Sequence, residues 1–284
     1  MTGFFSLQKT LQKSAEFAGI GLFTGMPSRI RLVPASEDAG IVFQRIDLPG
    51  RPEIPATLDF VSGTPRCTCL ARENASVQMV EHLLSALYGF GIDALRIEVD
   101  GPEIPAGDGS AREYVRLIEE AGIRILEAPK KVILIEQPVY WSQGDIQIIG
   151  LPSPEFRISY TLHYPQSPLI RSQFYSFKDR YKEEIASCRT FSLYEEIAPF
   201  IEKGLIKGGG LDNALVIQGD RILNPEGTRF PDEMVRHKVL DLMGDLSLLG
   251  AALQGHILSV RSGHTANVAF AKLLHRASQG VCLQ

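Results

Sequence analysis

The stretch His237-Lys238-Val239-Leu240-Asp241, continued by Gly244 and Asp245, constrains this sequence more than any other. Apolar Val235, Val239, Leu242, Leu246 and Leu249 recur at helical spacing with no proline between them, which predicts a helix over 232–249 with one stripe facing a core. At about 100° per residue, His237, Asp241, Gly244, Asp245 and Leu248 share a different face. An imidazole and two carboxylates on one line of an otherwise nearly apolar helix need a partner, because buried charge is costly unless paired or ligated. Side chains four apart are neighbours, so His237 and Asp241 can reach one divalent ion. Two protein ligands are too few for a catalytic zinc, which usually takes three and keeps a further position open. A lone His/Asp pair at this spacing is more often a solvated, hydrogen-bonded edge, so the rest of the chain has to decide.

With 44% apolar residues over 284 positions, the chain can bury substantial cores and is read more comfortably as two domains than one. Its 29 basic and 33 acidic side chains leave no basic field for a phosphate backbone, which argues against nucleic acid as a partner. The opening MTGFFSLQKTLQKSAEF lacks a compact apolar core after a basic start, and no window approaches a membrane-spanning apolar run. The expectation is a cytoplasmic protein with no integral membrane segment. Cys67, Cys69, Cys188 and Cys282 are too scattered for a disulfide framework. On a strand, the Cys67 and Cys69 thiols would share a face as small buried side chains, a soft-metal contact being the alternative reading.

A second apolar helix is expected over 78–90, followed by a strand near 94–99 and an amphipathic helix over 110–122 capped by Ser110. Residues 124–131, with Pro129 and two lysines, look like a linker between domains 1–126 and 131–284. Beyond them come strands at 132–141, 145–150 and 156–163, a helix over 192–203 containing Pro199, a glycine turn at 208–210 and a strand at 214–218. After the His237 helix, a strand at 256–261 precedes a helix over 265–277. The halves rhyme: His82 and His237 each lie in an apolar helix followed by strand, glycine and closing helix. The fold class expected is α+β, with duplicated sheet and helix layers packed face to face through their helices, which would bring His82 to His237 and Asp241.

Glu81-His82 then offers both a third ligand and a base. Adjacent helix positions diverge by about 100°, so Glu81 can reach a water beside an ion that His82 holds, as in the HExxH zinc helix. In isolation such a pair is more often a structural hydrogen bond. His264, in Ser262-Gly263-His264-Thr265, falls where strand gives way to helix and could serve an oxyanion or a leaving amine, with Asp245 fixing its tautomer and raising its pKa. A lone histidine there is otherwise a loop or cap residue.

VEHLLSALYGFGID (80–93), EVDGPEIPAGDGSA (98–111), RTF (189–191), HKVLDLMGDL (237–246) and SGHTAN (262–267) together resemble the zinc-dependent UDP-3-O-acyl-N-acetylglucosamine deacetylases of lipid A biosynthesis. The resemblance runs in order over essentially the whole chain. It implies two similar domains, each with a small insert, and an active site between them that hydrolyses the acetamide of a UDP-linked, 3-O-acylated glucosamine. It also implies Zn2+ on His82, His237 and Asp241, Glu81 as general base, His264 as cationic acid with Asp245 behind it, and Thr190 aimed at the oxyanion. Lys238 and Arg261 would lie near the sugar and diphosphate. Tyr164 would stack on uracil, although His163 stands where the family has a carboxylate. The acyl passage would follow the insert 192–214, beside Phe191, with Tyr194, Ile197, Phe200, Ile206 and Gly209. Fe2+ can occupy the same N/O ligand set, and a monomer is expected. One departure is Phe23 in GIGLFTG, where the family usually has histidine, which excludes an imidazole from that loop. The rivals are a UDP-sugar-binding regulator without turnover and a zinc amidase of other substrate. A binding module has no need of Glu81, and the apolar 192–214 segment suits a fatty chain better than a peptide.

Overall fold

Along Pro27–Pro34, buried Ser28, Ile30 and Leu32 alternate with exposed Pro27, Arg29 and Arg31, the period-two pattern of a sheet with one face on a core. In the computed structural model, which describes residues 6–279, this strand belongs to a five-stranded sheet ordered Ala15–Ile20, Pro27–Pro34, Leu95–Asp100, Ile41–Arg45, Glu53–Pro55. Only Ile41–Arg45 and Leu95–Asp100 run parallel; the other neighbours are antiparallel. A second sheet, ordered Val139–Gln143, Ile146–Leu151, His256–Val260, Arg157–Tyr164, Arg171–Phe177, repeats the same order and senses strand for strand.

The helices are α1 (Glu81–Phe90), α2 (Arg112–Ala121), α3 (Tyr181–Glu184), α4 (Tyr194–Glu202), α5 (Glu233–Ser247) and α6 (His264–Ser278). In each half a helix precedes the central strand and another follows it: α1 and α2 around Leu95–Asp100, α5 and α6 around His256–Val260. Each half also carries a three-stranded sheet between its last edge strand and its first long helix. In the second of these, Phe191–Leu193 and Leu215–Gln218 are parallel. Parallel neighbours need a crossover, and α4 lies within it. The architecture is therefore α+β, with two sheets of one topology.

α1 packs against α5, and every α1 residue from Glu81 to Leu87 is buried. The two helices meet tightly at Gly244, where a Cβ would stand 2.1 Å from the Glu81 carbonyl oxygen. Glycine here is a steric requirement, so Gly244→Ala reverses the usual sign. In an open helix the change would stabilise by about 1 kcal/mol; here it is expected to destabilise by about 1–3 kcal/mol, as overpacking does. Urea unfolding measures it, and a more stable variant would show that the helices separate freely.

Several boundaries differ from the sequence reading. Residues 124–131 are not a linker: Ile123–Pro129 is a strand paired antiparallel with Leu7–Leu11, and Pro129 is tolerated at its end. α2 starts at Arg112 with Ala111 as its cap residue, while the Ser110 hydroxyl accepts the Arg112 N–H from just outside. The segment expected as one helix over 192–203 opens as strand and turns helical only at Tyr194. Arg171–Phe177 was not expected, and Val61–Gly63, Cys69–Arg72 and Ala75–Gln78 join in a small sheet of their own. Cys67 is buried and its Sγ lies 3.8 Å from that of Cys69; Cys282 lies outside the described residues. Among the described residues no helix is long and apolar enough to cross a membrane.

Candidate metal centre and its cleft

Because α1 and α5 touch, His82 reaches across to the histidine and aspartate one turn apart on α5. Asp241 Oδ1 lies 3.2 Å from His237 Nε2 and 3.5 Å from His82 Nε2, and the imidazoles meet edge to face with centroids 5.0 Å apart. His237 Nδ1 is 3.0 Å from the Cys188 carbonyl oxygen. A carbonyl only accepts, so Nδ1 carries the proton and the Nε2 lone pair points inward. Asp241 Oδ2 accepts Lys238 Nζ at 2.8 Å, while Asp241 Oδ1 and His82 Nδ1 are buried with no hydrogen-bond partner.

A buried carboxylate oxygen with no donor, facing two imidazole nitrogens, is what a cation accounts for. The three ligand atoms lie within 4.8 Å of one another and all three residues are buried. Two nitrogens and one oxygen fit a divalent metal with a position left open. Protonation agrees with this: burial holds His82 toward its neutral form. Burial would raise the Asp241 pKa, but His237 and Lys238 outweigh it and hold the carboxyl well below its usual range.

Beside this group stands a second polar set. Burial, opposed by His264, pushes the Glu81 carboxyl up to about 8. His264 Nδ1 donates to Asp245 Oδ2 at 2.9 Å, and its Nε2 is 3.9 Å from Glu81 Oε1. Burial disfavours the imidazolium, but Asp245 and Glu81 overcome it and raise His264 to about 10. Two residues in this network were missed in the sequence. Asn267 donates to Asp245 Oδ2 at 2.9 Å; its place one turn after His264 on α6 was a readable signal. Thr68 donates its N–H to Glu81 Oε2 at 2.9 Å and its hydroxyl to Asp245 Oδ1 at 2.5 Å. In the sequence it is marked only by the cysteines on either side of it.

Glu81, His82, Asp241 and His264 line a cavity of about 600 Å³ shared with Thr190, Lys238, Tyr164 and Phe191 and with Tyr194, Ile197, Ile206 and Gly209. His237 and Asp245 stand behind its wall. Thr190 is fixed through its backbone, donating to the Gly109 carbonyl and accepting from Leu215 N–H, both at 2.8 Å. Tyr164 and Phe191 pack edge to face at 5.7 Å. Phe200 lies elsewhere, on an adjoining cavity of about 400 Å³ that also meets Ile206, with the Arg66 guanidinium 4.4 Å over its ring. Arg261 is outside the lined wall, its Nη1 3.3 Å from Asp145 Oδ2. Leu22 and Phe23 do line the cavity, on a loop held by buried Glu103, which accepts Phe23 N–H, Thr24 N–H and the Thr24 hydroxyl at 2.7–2.9 Å. This loop in turn accepts the Lys207 and Gly208 N–H groups, and a Cβ at Gly208 would stand 2.1 Å from Gly21 O.

The family model for UDP-3-O-acyl N-acetylglycosamine deacetylase matches residues 8–276. The chain belongs to that family. A UDP-3-O-acyl-N-acetylglucosamine deacetylase of Chlamydia pneumoniae is 46% identical over 274 residues, covering 95% of this chain and 97% of its own. Those of Chlamydia abortus (strain DSM 27085 / S26/3) and Chlamydia trachomatis serovar L2 (strain ATCC VR-902B / DSM 19102 / 434/Bu) are 44% and 42% identical, covering 93% and 96% of this chain and 95% and 96% of their own. The likeness spans both sheets and both helix pairs, so the resemblance carried by the five sequence motifs is borne out over nearly the full chain.

Proposed function

We propose that the protein is a zinc-dependent amidohydrolase that removes the N-acetyl group of UDP-3-O-acyl-N-acetylglucosamine, releasing acetate and a free amine, in lipid A biosynthesis. The observation that carries this reading is the carboxylate of Glu81 and the imidazole of His264 facing one cavity beside His82, His237 and Asp241. His82, His237 and Asp241 would hold the zinc, which would supply Lewis acidity toward the acetamide carbonyl and lower the pKa of a water toward about 7. Glu81 takes the proton of the attacking water, since its carboxylate is anchored at one oxygen and open at the other. His264, kept cationic by Asp245, and the Thr190 hydroxyl stabilise the oxyanion. The C–N bond then breaks, and the proton that Glu81 took from water returns, from Glu81 itself or by way of His264, to the departing nitrogen, completing acetate plus amine.

Lys238 and Tyr164 meet the sugar and the uracil, and Arg261 reaches the diphosphate by releasing Asp145. We take the two halves as two domains; the first, expected over 1–126, extends to Pro129 because Ile123–Pro129 pairs with Leu7–Leu11, and the second, 131–284, carries the insert near 192–214. The form proposed is a monomer acting in the cytoplasm, a reading supported by every group named here lying on one chain. Metal analysis beside acetate release tests the whole: one zinc per chain with turnover is expected, and iron can fill the same ligand set. Bound metal without acetate release would instead leave a UDP-sugar-binding regulator, and release from other acetamides alone would leave a general amidase.

The acyl chain is assigned to the part of the cavity lined by Ile197, Ile206 and Leu211, which is continuous with Glu81. Each buried methylene is worth about 0.8 kcal/mol, so two change binding by roughly tenfold. Ile197→Asp and Ile206→Asp are expected to raise KM for a long-chain substrate by at least about tenfold and to spare a short-chain analogue. Folded variants that keep native chain preference would place the lipid elsewhere.

A further inference from the structure

We infer that Thr68 is a positioning residue that locks the general base Glu81 and the Asp245–His264 pair into one unit; this rests on the roles proposed above for those three residues. Thr68 is wholly buried, at the entry to the strand Cys69–Arg72. Its backbone holds the start of α1 from both sides, donating N–H to Glu81 Oε2 at 2.9 Å and accepting the Val80 N–H at 3.4 Å. Its side chain reaches α5 and α6 instead, 2.5 Å from Asp245 Oδ1 on the one and 3.4 Å from His264 Nδ1 on the other.

An ionised carboxylate has no proton to give, so the hydroxyl must donate to Asp245. That donation completes Asp245: Oδ1 is held by Thr68, and Oδ2 by His264 and Asn267. With both oxygens occupied the carboxylate plane cannot turn, and His264, which hangs from it, keeps its Nε2 facing Glu81. Deleting the hydroxyl leaves Oδ1 without a donor where Asp245 has no exposure at all, a loss larger than for a neutral hydrogen bond. The carboxylate is then free to rotate, and a displacement of about 1 Å at the imidazole can cost about a hundredfold in rate.

The ordinary alternative is a buried threonine whose hydroxyl is merely satisfied, and the test separates the two. Thr68→Val keeps the shape and removes the hydroxyl, Thr68→Ala makes the same deletion with less bulk should Val fail to fold, and Thr68→Ser keeps the donor. The first two are expected to lower kcat by about tenfold to a hundredfold and the thermal midpoint by several degrees, with KM within about twofold and zinc content near native, while Thr68→Ser restores most of the rate and of the midpoint. The far-downfield NMR signal of the His264 Nδ1 proton should shift or vanish in Val or Ala and persist in Ser. In an Asp245→Asn background, Thr68→Val should cost less than about threefold, since residues acting as one unit are non-additive. Native kcat with an unmoved His264 proton overturns the inference, as does an equal loss in both backgrounds. If the native enzyme released no acetate, the deacetylase reading would fall, and the His264 proton would still decide what Thr68 does.

Discussion

Glu81→Ala is expected to keep its metal and lose about a hundredfold to ten-thousandfold in kcat, the range that a positioned general base supplies. His82→Ala, His237→Ala and Asp241→Ala are expected to lose the metal itself, and activity with it. The contrast follows from where the atoms point. Asp241 Oδ1 faces both histidine Nε2 atoms and has no hydrogen-bond donor, whereas one Glu81 oxygen is occupied by the Thr68 N–H and the other faces His264. Removing Asp241 also strands Lys238, whose ammonium loses a contact of 2.8 Å. Zinc content per chain and single-turnover rates decide the matter together. Metal-replete Glu81→Ala enzyme with near-native turnover would remove Glu81 from the mechanism, and a metal-replete Asp241→Ala enzyme would remove Asp241 from the ligand set.

What the sequence disclosed about this site follows from distance along the chain. His237, Asp241 and Asp245 could be read together because one helix sets their spacing, and α5 does run through all three. His82 became legible only by pairing two apolar helices across the two halves, and the packing of α1 on α5 at Gly244 is the physical form of that pairing. Thr68 gave no such signal: its bond to Asp245 joins residues 177 apart, and it lies on no periodic face. Phe200 misled in the opposite way. It shares a helical stripe with Ile197, yet Ile197 faces the larger cavity and Phe200 the smaller one, because spacing fixes which residues are neighbours and not which void each one meets. The strand Ile123–Pro129 was hidden by its composition, since Leu126 is its only buried residue and an edge strand with charged, solvent-facing positions reads like a connection. Arg171–Phe177 was missed for a similar reason, with Phe177 alone buried along it.

His264→Gln is expected to lower kcat by about a hundredfold or more and to erase the alkaline limb of the pH–rate profile. On the proposed mechanism the active form has Glu81 ionised and His264 protonated. Without metal, Glu81 stands near 8 because of its burial; a dication held beside it would favour the carboxylate and carry the acid limb downward. His264 stands near 10 despite burial, through Asp245 first and Glu81 next, so the window stays open through neutral pH and closes on the alkaline side. Asp245→Asn removes the larger of the two supports, and the alkaline limb should move to lower pH. The same shift has a sign in stability. A histidine whose folded pKa is raised stabilises the protein fully below its unfolded value of about 6.5, and that contribution is lost as pH climbs through the folded value. The stability difference between native and His264→Gln protein should therefore be greatest at mildly acidic pH and shrink toward pH 10. An alkaline limb unchanged in His264→Gln would assign it to another group, and a stability difference that grew with pH would mean that His264 is neutral in the folded protein.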